Sequence, residues 1–257
     1  MFIHSKFRFH TLSLLLLTLL FIGCNQDSAE GQNNPAEENS SILIFSKTEG
    51  FRHGSIETGA EAVQKLVSEE ELQPLHTENA AYFHPDSLAS FEAVIFLNTT
   101  GDILNDQQQQ HFEQFIQQGG GFVGIHAAAD TEYEWPWYGN MVGAYFVSHP
   151  AIQEATLNVI DQSHPATSHL PSEWVRTDEW YNYKEISDQI NVLIELDESS
   201  YEGGENGDYH PISWYHDYDG GRAFYTGLGH TEESYSEPHF LDLLRGALDY
   251  VLEAKAE

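Results

Sequence analysis

A single cysteine among 257 residues removes most thiol chemistry from this chain. With Cys24 alone, no intramolecular disulfide can form and no cysteine metal cluster can assemble. Basic residues are scarce too: ten Lys and Arg stand against 41 Asp and Glu, a formal net charge of −31. Such a chain repels phosphate backbones and anionic lipid headgroups, so nucleic-acid binding and electrostatic adhesion to membranes are disfavoured. No apolar run approaches the roughly 20 residues that span a bilayer. Phosphate-binding glycine patterns are missing as well: the turn Ser46-Lys47-Thr48-Glu49-Gly50 lacks P-loop spacing, and no dinucleotide fingerprint occurs. Activity must therefore come from imidazole, carboxylate, hydroxyl or a metal ion.

What the N-terminus does have is a leader. Lys6 and Arg8 precede an apolar stretch over residues 12–22, and Leu20-Phe21-Ile22-Gly23-Cys24 resembles a bacterial lipobox. Residues 1–23 are expected to be a lipoprotein signal peptide, with Cys24 lipidated as the new N-terminus. Residues 24–40 are rich in Asn, Gln, Glu and Ser and carry no aliphatic residue larger than alanine, apart from one proline, so they read as a disordered tether. The expected location is the bacterial cell envelope, on its periplasmic or surface face, held to the membrane by the lipid only.

Residues 41–257 fit one α/β domain. Strands are expected over residues 42–45, 72–77 and 91–97, and helices over 55–68 and from the Asn105-Asp106 cap to Gln118. The run Gly119-Gly-Gly-Phe-Val-Gly-Ile-His126-Ala-Ala-Ala-Asp130 reads as a buried central strand that stops at a histidine. Strand and helix alternate as in a doubly wound, mainly parallel sheet, and ligands bind outside the carboxyl ends of such strands. The segments 47–52, 98–102 and 126–130 then share one rim. Beyond residue 130, strands over 154–160, 192–196, 211–215 and 222–228, with a hairpin turn at Asp219-Gly220-Gly221, extend the sheet in mixed directions. A helix over 240–252 closes the domain, and long loops are expected to carry all five tryptophans.

Histidines beside turn residues are the candidates for chemistry: His53, His126, His149, His210 and His230. Imidazoles with a carboxylate suit a divalent metal such as zinc, and His126, His149, His210 and His230 are the candidate ligands. Alternatively they act as acids, bases and hydrogen-bond partners of a substrate. Glu179 and Asp178 lie among Trp174, Trp180 and Tyr181, where desolvation is expected to raise a carboxyl pKa toward catalytic use. Asp208, before His210, is a further carboxylate of interest. Trp135 and Trp137, between Asp130 and Gly139, offer flat faces for a sugar ring. His126, Glu179 and Asp178 are the expected catalytic groups; His53, Asp130, Trp135, Trp137, Trp180, His210 and His230 are the expected substrate contacts.

Motifs spread over residues 42–250 resemble the ThuA-like (trehalose utilisation) family of the class I glutamine amidotransferase-like superfamily. They are Gly50-Phe-Arg-His-Gly-Ser-Ile56, Asn98-Thr-Thr-Gly-Asp102, the block 119–130, Glu134-Trp-Pro-Trp-Tyr-Gly139, Asp178-Glu-Trp-Tyr-Asn182, His210-Pro-Ile212 and Tyr225-Thr-Gly-Leu-Gly-His-Thr231. The resemblance implies a flavodoxin-like, amidotransferase-like fold and a role with trehalose-like disaccharides or keto-sugars. It sets His126 where amidotransferase relatives carry their cysteine nucleophile, so glutaminase chemistry of that kind is not expected. Hydrolysis, elimination or isomerisation of a small carbohydrate is the expected activity; a non-catalytic glycan-binding lipoprotein is the alternative. The tyrosine between Asp208 and His210 departs from the pattern.

Overall fold

Apolar runs with almost no charge in them belong in the middle of a sheet, and β1 (Ser41–Phe45), β3 (Phe91–Leu97) and β4 (Gly121–Ile125) are buried along nearly their whole length. In the computed structural model, which describes residues 41–253, these three strands sit side by side. The expected signal peptide, Cys24 lipidation site and tether lie outside the described residues.

The order along the chain alternates as the sequence suggests. After β1 come α1 (Ile56–Glu69), β2 (Gln73–Thr77), the short α2 (Pro85–Leu88), β3, α3 (Asp106–Gln117) and β4. A short helix α4 (Pro136–Val142) precedes β5 (Tyr145–Ser148), β6 (Gln153–Val159), β7 (Glu173–Asp178), β8 (Asn182–Lys184) and β9 (Asn191–Leu196). The hairpin of β10 (Pro211–Tyr218) and β11 (Gly221–Thr226) leads to α5 (Pro238–Leu252).

Among the described residues, one nine-stranded sheet has the order β2-β1-β3-β4-β11-β10-β9-β6-β7. The first five strands run parallel and the rest are joined antiparallel, so the expected mainly parallel sheet with a mixed extension is what forms. Helices α1 and α5 pack on each other and against the parallel strands. Phe112 of α3 and Tyr138 of α4 stack on Phe96 of the sheet and meet Phe122 edge to face. Asn105 caps α3 reciprocally with Gln108, and the hairpin turns at Asp219 and Gly220, both with positive φ.

Three strands escape the sequence reading: β5, β7 and β8. In β7 the buried positions are Trp174, Arg176 and Asp178, so two of its three inward side chains are charged and an apolar period of two is hidden. The tryptophans are not confined to loops either: Trp174 lies in β7, Trp214 in β10 and Trp137 in α4. The carboxyl ends of β1, β3, β4 and β11 form one rim. Asn98 binds across it, its Nδ2 donating to Ser55 Oγ at 3.2 Å, Tyr235 Oη at 3.2 Å and the Gly229 carbonyl at 3.4 Å.

Candidate functional site

β4 ends abruptly. His126, the next residue, has φ of 49°, a left-handed backbone that costs a residue with a Cβ about 1–3 kcal/mol. The turn His126–Asp130 follows, so the imidazole is thrown up at the end of a central strand. Its Nδ1 lies 2.8 Å from the Gly227 carbonyl at the end of β11. A carbonyl only accepts, so Nδ1 carries the proton and a neutral His126 presents the bare Nε2 lone pair to the rim.

Three more side chains meet that lone pair. His230 Nδ1 is 3.1 Å from His126 Nε2, and Glu179 Oε2 is 3.4 Å from His126 Nε2 and 3.1 Å from His230 Nδ1. The His53 ring, after β1, stands perpendicular to both imidazoles with centroids 5.0 and 5.1 Å away. One ligating atom of each of His53, His126, Glu179 and His230 lies within 4.8 Å of all the others. Tyr181 lies tilted over His126, ring centroids 4.1 Å apart.

The loop bearing His230 is fixed from below. Asp178, fully buried at the end of β7, accepts from the Gly229 N–H at 2.9 Å and the His230 N–H at 3.2 Å. Arg176 and Ser234 donate to the same carboxylate at 3.1 and 3.3 Å. Gly229 has φ of 105°, and a Cβ there would meet the Phe240 ring and Tyr235 Oη at 3.0 Å, so the turn needs glycine.

Burial pushes His53 down to about 3, helped by the charges of His126 and His230, so it is neutral at ordinary pH. Its Nδ1 is buried with no hydrogen-bond partner. For Glu179, burial raises the carboxyl, but the neighbouring imidazoles of His126 and His230 outweigh it, and the net shift is downward. The expected rise at Glu179 is therefore reversed: the neighbours are imidazoles as well as indoles. Burial raises Asp130 despite the bond from Tyr133.

Above the four groups opens a cavity of about 420 Å³, lined by Phe51, His53, Asp130, Phe146, His149, Glu179, Tyr181 and His230. His149 stands at its edge, not in the four-residue cluster. Its Nδ1 donates to the Pro150 carbonyl at 2.9 Å and lies 3.0 Å from Glu179 Oε1, and its side chain is 44% exposed.

Several expected site residues lie elsewhere. His210 is buried in a separate network, with Nε2 2.8 Å from the Tyr181 carbonyl and Nδ1 2.8 Å from Glu198 Oε1, so it joins neither the cluster nor the cavity. Asp178 is sealed off and holds backbone, which removes it as a proton-transfer group. Trp180 is fully buried and donates to the Gln153 carbonyl. Trp135 and Trp137 stack on each other, and their N–H groups bind Glu113 on α3 and Asp219 in the hairpin turn. The cavity takes its aromatic walls from Phe51, Phe146 and Tyr181 instead. Phe51 was legible as an aromatic inside the turn Gly50-Phe-Arg-His53; Phe146, on an unrecognised strand, left no signal.

Comparison with known proteins agrees with this architecture. The ThuA family model, described as trehalose utilisation, matches residues 41–251. A ThuA-like protein of Bacteroides uniformis has a structure similar to this one, with TM-score 0.70 and 24% identity over 83% of this chain and 91% of that one. Another, from Parabacteroides merdae, gives TM-score 0.68 at 19% identity over 85% and 92% of the two chains. No curated protein matches the sequence. With the family model covering nearly the whole described domain, this chain belongs to the ThuA, or trehalose utilisation, family.

Proposed function

We propose that this protein is an enzyme of the bacterial cell envelope, tethered through lipidated Cys24, that acts on a trehalose-like disaccharide or keto-sugar by hydrolysis, elimination or isomerisation. The observation that carries this is the convergence of His53, His126, Glu179 and His230 beneath a cavity large enough for a sugar. Family membership supplies the substrate class. Among the described residues no helix is long and apolar enough to cross a membrane.

The four groups fit a divalent ion such as zinc. Ligands each about 2.0–2.1 Å from a tetrahedral ion lie about 3.4 Å apart, close to the 3.1–3.4 Å separations among His126, Glu179 and His230. A proton on His230 Nδ1 alone also satisfies those three, but it does nothing for His53, whose Nδ1 is buried and unpartnered. The Nδ1–H bond to Gly227 locks the His126 tautomer that ligation needs. What such an ion brings to the site is Lewis-acid polarisation of a substrate oxygen. Phe51, Phe146 and Tyr181 give the cavity an apolar wall for the C–H side of a sugar, and Asp130 and His149 add polar groups to the lining.

A non-catalytic glycan-binding lipoprotein would use the same cavity. Against it stands the burial of an ionised Glu179 among three imidazoles, a costly floor for a site that only grips neutral hydroxyls. The test is incubation of the purified protein with trehalose and 3-keto-disaccharides, with products read by mass spectrometry. Turnover that His126→Ala abolishes is the expected result; sugar binding without product, or turnover untouched by His126→Ala, sinks the enzyme reading.

A further inference from the structure

Asp130 ends the turn that His126 begins, so the backbone that sets the imidazole in the four-residue cluster also sets a carboxyl in the cavity wall. Its Oδ1 is 2.7 Å from Tyr133 Oη, and Tyr133 Oη is 3.0 Å from the Phe146 carbonyl. A phenol owns one proton, and the carbonyl can only accept. Two arrangements follow without any heavy atom moving. When Asp130 is ionised, Tyr133 donates to Oδ1. When Asp130 carries a proton, it donates to Tyr133 Oη, and Tyr133 turns its own proton to Phe146. A carboxylate that merely gripped a hydroxyl or tied down a loop would need partners in one charge state only.

We propose that Asp130 is the acid–base group of this site, with Tyr133 the positioning residue that serves both of its charge states. The proposal rests on the enzyme reading above and goes beyond it by naming where the proton is held. In the acid direction the Asp130 O–H bond breaks and the proton goes to a substrate oxygen, which leaves carbon with the bonding pair while a water oxygen bonds to that carbon; Tyr133 then rotates to donate to the new carboxylate. In the base direction the carboxylate takes the proton that this water oxygen sheds once it is bonded to carbon, which restores the Asp130 acid, and Tyr133 returns its own proton to Phe146. The groups facing Asp130 are His126 on its own turn, His149 from the connection after β5, Tyr133, and Glu179 and Tyr181 from the segment after β7. Burial, tempered by Tyr133 and the imidazole charges, holds its carboxyl above the ordinary range, and Tyr133 is itself pushed up by burial and Asp130, so it stays a neutral donor.

The test uses the full chain with 13C-labelled aspartate, the Asp130 carboxyl resonance being assigned by its loss in Asp130→Asn. Its titration midpoint is expected above the ordinary aspartate value of about 3.9 and further raised in Tyr133→Phe, because the ionised form loses its donor. In sugar turnover, Asp130→Asn is expected to lower kcat by about 100-fold or more with little change in KM and unchanged metal content. Tyr133→Phe is expected to move the same limb of the pH–rate profile in the direction of the resonance. An ordinary midpoint indifferent to Tyr133→Phe, or wild-type kcat in Asp130→Asn, overturns the assignment alone. A wild-type protein that turns over no sugar in the panel overturns the enzyme reading and this inference with it.

Discussion

His126 Nδ1 and the Gly227 carbonyl lie 2.8 Å apart, and this one hydrogen bond decides which imidazole nitrogen faces His230 and Glu179. It joins the ends of β4 and β11, neighbours in the parallel part of the sheet, so the ring direction is set by strand register rather than by a flexible loop. His230 is held by a different device, the buried Asp178 carboxylate gripping its backbone.

That second device yields a prediction. In Asp178→Asn one oxygen becomes an N–H₂ donor facing donors, so the Gly229–His230 turn loosens while every proposed ligand remains. Outer partners of this kind typically contribute 10–100-fold to metal affinity. Zinc affinity measured by competition with a chelator is expected to fall by about that factor; an unchanged affinity would show that the turn is fixed without Asp178.

His210 and His230 looked alike in the sequence, and the structure separates them. His210→Gln is expected to cost about 1–3 kcal/mol in denaturant unfolding, because it leaves Glu198 and the Tyr181 carbonyl with poorer partners. It should leave metal stoichiometry untouched. His230→Gln should do the reverse, abolishing tight metal binding at small cost in stability. Loss of metal from His210→Gln would contradict the separation.

The aromatic walls are testable in the same way. Phe51 is 66% exposed at the cavity mouth, so Phe51→Ala is expected to leave stability within about 0.5 kcal/mol while weakening sugar binding about 3- to 10-fold by calorimetry. Trp137→Ala should destabilise the protein, because the indole stacks on Trp135 and binds Asp219, and should not change sugar affinity. Equal affinity losses in the two variants would refute the placement of the sugar.

These contrasts mark how far the sequence could be read. Apolar runs ending in turns located β1, β3, β4 and the rim, and histidines in those turns supplied His53, His126 and His230. A turn places a residue at a sheet edge but not the direction of its ring, which is why His210, beside Pro211 at the start of β10, was grouped with them. The run from Glu134 to Tyr138 offered aromatics between carboxylates, yet Pro136 starts α4 and the indoles turn toward acids 22 and 82 residues away in sequence. Asp178 and Glu179 are adjacent on the chain and differ by one step of strand alternation: one points into the protein, the other toward the cavity. No pattern of composition distinguishes them without β7.

A pH effect on folding arises away from the cavity. His164 accepts from the Ala166 N–H through Nδ1, packs against Tyr215 and Tyr250, and leaves Nε2 buried without a partner. Burial lowers it to about 4, so the unfolded chain takes up a proton near pH 6.5 that the folded chain refuses until about pH 4. Stability is whole above pH 6.5 and falls as pH drops through that window, by at most about 1.4 kcal/mol per pH unit from this residue. His164→Asn keeps an acceptor for Ala166 and should flatten that part of the urea-midpoint profile; an identical acid slope in the variant would assign the effect elsewhere.

The most direct measurement is the metal content and zinc-binding isotherm of the purified protein beside His126→Ala and Glu179→Gln. The geometry of His53, His126, Glu179 and His230 predicts one tightly bound divalent ion per wild-type chain and its loss in both variants, each still folded by circular dichroism. A wild-type protein that takes up no ion at saturating zinc, or variants that bind it as tightly, would contradict the account.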